Sequence, residues 1–74
     1  MSRLRPLAWQ EIEKAILYFG CKFIGQEGSH RKYWREDFTR PIILPAYKEV
    51  PKFIIQQIIK ALGIKRKDFY KHTK

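Results

Sequence analysis

The stretch that decides the fold is GQEGSHRKYW, residues 25–34. Its two glycines, Gly25 and Gly28, predict a hairpin turn around Gln26 and Glu27, because glycine adopts the backbone angles that tight turns need. Residues 21–26 predict the strand before this turn, and residues 29–35 predict the strand after it. Two strands joined by so short a turn form an antiparallel pair.

Side chains on the second of these strands alternate between the two faces of the sheet. One face carries His30, Lys32 and Trp34, and the other carries Arg31, Tyr33 and Arg35. Neither set is wholly apolar, so alternation by itself does not indicate which face is buried.

A helix is predicted on each side of the strands. Over residues 8–19, Ile12, Ile16 and Phe19 recur at helical spacing, and Gly20 ends the helix. A second helix is predicted to begin after Pro51 and to end at Gly63, since proline suits the start of a helix and glycine its end. Its apolar stripe consists of Ile55, Ile58, Ile59 and Leu62.

A third strand is predicted over residues 41–44, ended by Pro45. The order of elements predicts an α+β fold, α-β-β-β-α, with a three-stranded antiparallel sheet and two helices on one face. We expect Phe23 to contact the core, Cys21 to be buried as a small apolar residue, and Phe69 to pack a short C-terminal turn onto it. The chain is predicted to be one domain, residues 1–74, with an extension at 1–6 and a basic turn and tail at 65–74.

The charge of the chain points to polyanionic partners. Sixteen Lys and Arg residues against seven Asp and Glu give a net charge of +9 on 74 residues, which attracts nucleic acid or an acidic protein. No apolar run is long enough for a membrane span or a signal peptide, so we expect a cytoplasmic protein with no membrane contact. The single cysteine and the Cys/His spacing offer no disulfide and no zinc site.

In this order and register, the chain resembles the HicA family of toxin–antitoxin ribonucleases, whose fold is similar to the double-stranded-RNA-binding domain. The resemblance rests on a helix ending in glycine (12–20), Gly-Ser-His at 28–30, an apolar strand closing on proline (42–45) and Ala-Leu-Gly-Ile at 61–64. It implies a toxin of the stress response that cleaves mRNA. It also implies a separate antitoxin of the HicB kind, which we expect to be acidic.

RNA carries its own nucleophile, the 2′-hydroxyl, so its cleavage needs a base, an acid and cations at the phosphate, but no metal or other cofactor. His30 is the candidate catalytic residue, because histidine gains and loses protons near neutral pH. The expected RNA contacts are Gly28, Ser29, Arg31, Lys32 and Lys22. The only other histidine, His72, is close to the C-terminal end and is expected to be mobile. The second acid or base therefore stays open between a lysine, Tyr33, Tyr47 and water.

Two other functions are compatible with the sequence. The first is a non-catalytic RNA-binding module, in which His30 is an ordinary surface histidine of a hairpin. The second is a small structural protein whose basic face binds an acidic protein. Four apolar residues that lie off the helical stripes predict a partner surface, unless they complete the core or a homodimer: Leu17, Tyr18, Phe53 and Ile54.

Overall fold

The computed structural model describes residues 7–74 and has the predicted order of elements. These are α1 (Trp9–Tyr18), β1 (Lys22–Glu27), β2 (His30–Trp34), β3 (Ile42–Pro45), α2 (Lys52–Leu62) and a short third helix, α3 (Arg66–Lys71). The strands form one antiparallel sheet in the order β1-β2-β3, which confirms the α+β class. The predicted N-terminal extension, residues 1–6, lies outside the described residues. Within residues 7–74, no helix is both long enough and apolar enough to cross a membrane.

The core lies between the helices and one face of the sheet. Tyr33, Ile42 and Leu44 are buried on that face, and they pack against the apolar stripes predicted for the two long helices. Cys21 is buried among them, as predicted. Because side chains alternate along a strand, the burial of Tyr33 puts His30 on the opposite face of the sheet.

The hairpin turn lies two residues later than predicted. β1 continues to Glu27, β2 begins at His30, and the turn consists of Gly28 and Ser29. Gly28 has φ +60°, whereas Ser29 does not have a positive φ, which is the pattern of a type II′ turn. This two-residue turn matches the twist of the strands and takes its glycine at the first position. Gly25 instead lies inside β1, where the pairing with β2 shifts by one residue between Phe23 and Gly25.

Phe23 contacts the core as predicted, but only at its margin, because its ring lies 5.7 Å from that of the buried Tyr33 while the residue is 45% exposed. Phe23 pairs with Tyr33 and so shares its face of the sheet. β1 is an edge strand, however, and Tyr33 occupies the position beneath the helices. Phe23 packs at the margin instead, with the guanidinium of Arg31 4.2 Å from the centre of its ring.

The C-terminal segment is docked on the body of the protein. Phe69 of α3 is fully buried, as predicted, and Thr73 is also buried. The expectation that His72 is mobile is wrong, because its ring stacks on that of Tyr18 with 3.6 Å between the ring centroids. The exposed aromatic ring in the last turn of α1 provides this contact.

One side chain joins the ends of three elements. Arg35, directly after β2, donates hydrogen bonds to the carbonyl oxygens of Phe19 (2.8 Å) and Leu62 (3.2 Å). The C-terminal ends of α1 and α2 therefore meet at the end of β2 that is farthest from His30. His72, which packs against the end of α1, lies at that far end as well.

Candidate nucleic-acid interface

The face of the sheet turned away from the helices is called here the open face. His30, Lys32 and Trp34 of β2 lie on it by alternation with Tyr33. Cross-strand partners share a face, so Ile43, which pairs with Lys32, and Lys22, which pairs with Trp34, also belong to it. The open face therefore brings together three of the predicted site residues.

His30 is exposed at the start of β2, directly after the turn. Its backbone is paired on both sides, with Glu27 of β1 and Pro45 of β3. The backbone N–H of Ala46 donates a 2.7 Å hydrogen bond to the carbonyl oxygen of Ser29, which ties the turn to the chain after β3. The backbone of His30 is therefore fixed by the neighbouring strands on both sides, while its imidazole remains accessible to a large substrate.

Two cations share the open face with His30. Lys32 is two residues further along β2, which corresponds to about 7 Å along the strand. Its ammonium forms an exposed 3.3 Å ion pair with Glu27. Such a pair contributes little to stability, so a phosphate can replace the carboxylate at small cost. Lys22 is exposed opposite Trp34, towards the far end of β2.

Gly28 and Ser29 are exposed in the turn next to His30. No atom lies within 4 Å of the position that a Cβ would take at Gly28. The outer side of the turn is therefore open, and its backbone is accessible to a ligand.

Arg31 lies on the face covered by the helices and not on the open face. Its guanidinium forms a 2.7 Å ion pair with Glu13 of α1. It also donates hydrogen bonds to the Tyr33 hydroxyl (2.9 Å) and to Gln26 Oε1 (2.8 Å), and it lies over the Trp9 ring. These contacts anchor the strand to α1 and point the charge of Arg31 away from His30.

The two candidate tyrosines differ in position. Tyr33 is fully buried, and its hydroxyl donates a 2.6 Å hydrogen bond to Glu13. Burial, together with this carboxylate, raises the pKa of Tyr33 to about 12. Tyr47 is exposed, and it follows Ala46, whose N–H is bonded to Ser29 beside His30. Of these two tyrosines, only Tyr47 is exposed.

Sequence reasoning missed two exposed apolar residues of the sheet, Ile24 (53% exposed) and Ile43 (42%). Ile43 stands between the buried Ile42 and Leu44, so its position out of phase with them was the available signal. Ile24 lies at the irregular pairing in β1, and Gly25 inside the predicted strand was the available signal for that irregularity.

The predicted partner surface is partly present. Leu17, Tyr18 and Phe53 are exposed as expected, although Tyr18 also carries the ring of His72. Ile54 is partly buried against the core. All four belong to α1 or α2, so they do not adjoin the open face.

His30 lies outside the groove between β3 and α2, which is lined by residues 40–43 together with Gln57, Ile58 and Ala61. Within residues 7–74, no group of three or more His, Cys, Asp or Glu side chains is placed to hold a metal ion. Small molecules usually bind in concave, largely apolar pockets. An exposed histidine on a cationic sheet face suits a polymeric anion better.

Comparison with known proteins identifies a family. The family model described as "HicA toxin of bacterial toxin-antitoxin" matches residues 9–64 of the chain. This range contains α1, the sheet with His30, and α2, and it ends before α3. No curated protein and no solved structure matches the chain.

Proposed function

Because this chain belongs to the HicA family, the toxins of bacterial toxin–antitoxin systems, we propose that it is an endoribonuclease that cleaves mRNA. His30 is its general acid or base. The position of His30 carries this proposal: it is exposed, it is held by the sheet on both sides, and it shares the open face with Lys32. An mRNA substrate also agrees with a cytoplasmic location.

The RNA backbone binds along the open face. Lys32 and Lys22 neutralise phosphates, and the exposed turn of Gly28 and Ser29 lets a phosphate approach the backbone closely. Trp34, half-buried on the same face, offers part of its ring for stacking on a base. Arg31 acts indirectly, because its guanidinium is occupied by Glu13 and holds β2 in place.

The reaction uses the 2′-hydroxyl of RNA as the nucleophile. When His30 acts as the base, it takes the 2′-hydroxyl proton, and the oxygen attacks the neighbouring phosphorus. The bond from phosphorus to the 5′-oxygen then breaks, and a second group donates a proton to that oxygen. The products are a 2′,3′-cyclic phosphate and a 5′-hydroxyl. Tyr47 and Lys32 are the candidates for the second group, because Tyr33 is buried on the other face.

The alternative is an RNA-binding module without chemistry. The observation that favours it is the exposure of His30, for which residues 7–74 provide no side-chain hydrogen bond that would orient the imidazole. The open face would then bind phosphates with Lys22 and Lys32 alone.

Cleavage of end-labelled RNA in excess chelator tests the proposal. We expect wild type to cleave and His30→Ala to bind RNA without cleaving it. His72→Gln is the matched control, because it removes the other imidazole at the far end of the molecule. Tyr47→Phe and Lys32→Gln identify the second group: the variant that lacks it cleaves RNA more slowly but binds RNA as well as wild type does.

The outcomes separate the functions. Cleavage by His30→Ala at the wild-type rate would refute the site. Binding by wild type with no cleavage, with or without added divalent metal, would establish the RNA-binding module instead. Circular dichroism of each variant establishes that a lost activity is not a lost fold.

The antitoxin of this system is proposed to be a HicB-like acidic protein that covers the open face. Ile43 and Ile24 are exposed apolar groups on the sheet, and Ile43 pairs across the strands with Lys32. An acidic partner with apolar side chains complements such a surface and excludes RNA from His30.

A further inference from the structure

The C-terminal segment concentrates positive charge in a small part of the chain. Residues 65–74 contain five Lys and Arg residues and one acidic residue, Asp68, which leaves +4 of the total +9. The family match ends at residue 64, so this charge lies beyond the part of the chain that defines the family. Membership of the family therefore does not account for this charge.

This segment has a fixed place on the protein. Phe69 and Thr73 are buried, and the Thr73 hydroxyl donates a 3.0 Å hydrogen bond to the carbonyl oxygen of Tyr70. His72 stacks on Tyr18. The cations of α3 are consequently presented in a defined arrangement and not on a free tail.

Two lysines share the outer side of α3, and a third is exposed just after the helix. Lys67 and Lys71 are exposed, lie four residues apart in α3 and project on the side opposite the buried Phe69. Lys74, three residues further on, is exposed as well. The ion pairs of residues 7–74 involve other cations, namely Arg31, Lys32 and Arg35. Like charges four apart disfavour a helix, and a polyanion would relieve their repulsion.

The segment lies at the same end of the protein as Arg35, but it packs against α1 and α2 and not on the open face, so an RNA strand reaches it around that end of β2. α3 packs where α1 ends, and Arg35 joins that end to β2. The distance along the strand from His30 to Arg35 is about 17 Å, which an RNA strand covers in a few nucleotides. Lys32 and Lys22 lie along this path.

We infer that α3 is a second RNA-binding surface, which holds the phosphate backbone through Lys67, Lys71 and Lys74 several nucleotides away from the scissile bond. This inference rests on the proposed function, since it concerns the same RNA strand. Phosphate contacts of this kind add affinity and salt dependence but no base specificity. Short RNAs that end before α3 do not gain from it.

The test compares two triple variants with equal loss of charge, both in the His30→Ala background so that RNA stays intact. One is Lys67→Gln, Lys71→Gln, Lys74→Gln, and the control is Lys14→Gln, Lys48→Gln, Lys52→Gln, whose lysines are all exposed elsewhere. Glutamine has a helix propensity close to that of lysine, so α3 is retained. Affinity for a single-stranded RNA of about 20 nucleotides and for one of about 4 is measured against salt concentration.

For the long RNA, we expect the α3 variant to reduce the slope of log affinity against log salt concentration by about 2. Each of the three lost phosphate contacts accounts for roughly 0.7 of this change. Between about 50 and 200 mM salt, the parent then loses roughly twentyfold more affinity than the variant. The control is expected to change the slope by less than half as much. Both variants bind the short RNA alike.

Equal slopes for the two triple variants would overturn the inference, even if cleavage by wild type depends on His30. Loss of antitoxin binding with an unchanged RNA slope would overturn it as well, and would assign α3 to the protein partner. If wild type never cleaves but the slopes differ as expected, the proposed function fails while RNA binding by α3 stands.

Discussion

The carboxylate of Glu13 and the guanidinium of Arg31 form a 2.7 Å ion pair that ties α1 to the middle strand of the sheet. Arg31 directly follows His30, and alternation sends the two side chains to opposite faces. The contact that fixes Arg31 under the helix therefore also fixes the face on which His30 stands. A residue that the sequence grouped with the RNA contacts is the anchor of the strand.

Loss of this ion pair is expected to destabilise the protein. Glu13→Gln keeps a hydrogen-bond acceptor but removes the charge, and because the two side chains are only 16% and 22% exposed, water screens the pair incompletely. We expect the free energy of unfolding to fall by about 1–2 kcal/mol. Urea denaturation measures the change, with Glu49→Gln at an exposed position as control. Equal stability of the two variants would show that the pair contributes nothing.

Tyr33 is expected to make stability depend on alkaline pH. Its pKa is raised from 10.0 to about 12 in the folded protein, so the unfolded chain releases this proton first. The corresponding stabilisation, about 2–3 kcal/mol, is fully present below pH 10 and is lost as the pH rises towards about 12. Other groups titrate in the same range, so the measurement is the difference in unfolding free energy between wild type and Tyr33→Phe. A difference that does not change with pH would contradict the assignment.

L-alanine and D-alanine at position 28 are expected to have different effects on the stability of the protein. An L-alanine there meets no neighbouring atom, so its cost comes only from the positive φ of +60°. We expect Gly28→Ala to lower the unfolding free energy by about 1–2 kcal/mol. A chain made by chemical synthesis with D-alanine at this position is expected to be at least as stable as wild type. Equal destabilisation by the two forms would mean that space, and not backbone angle, requires the glycine.

Cys21 is expected to be unreactive in the folded protein. Burial raises the pKa of its thiol, and the nearby Arg35 offsets only part of this shift. Alkylation by iodoacetamide at neutral pH is therefore expected to be slower than in urea by more than about tenfold. Mass spectrometry of the quenched reaction measures both rates. Similar rates in the two conditions would place Cys21 at the surface.

The antitoxin is expected to bind the open face and not the helices. Ile43→Glu puts a negative charge at the exposed centre of that face, and it should weaken binding of an acidic antitoxin by at least about tenfold. Leu17→Glu is the matched control on α1, where the side chain is similarly exposed. Co-purification with the product of the adjacent gene measures both. The complex should also protect His30 from solvent and abolish cleavage.

If the antitoxin binds the Ile43→Glu variant normally but no longer binds the Leu17→Glu variant, binding at the open face is refuted. A complex that leaves His30 exposed and cleavage undiminished would refute occlusion.

The sequence by itself determined the helices, the order of the elements and the apolar stripes. Each depends on local spacing: Ile12 and Ile16 share a helix face wherever the helix is placed, and glycine ends both long helices. The proposal for His30 also starts from a local feature, the contiguous motif Gly-Ser-His, together with the resemblance to the HicA family.

Only the tertiary structure decided which face of β2 is buried, because both faces carry charged residues and alternation cannot rank them. Burial went to Tyr33, since Glu13 on α1 accepts hydrogen bonds from both its hydroxyl and the neighbouring Arg31. Those partners lie eighteen and twenty positions apart in the chain, beyond any local pattern. The docking of His72 on Tyr18 likewise depends on a contact that forms only when distant segments meet.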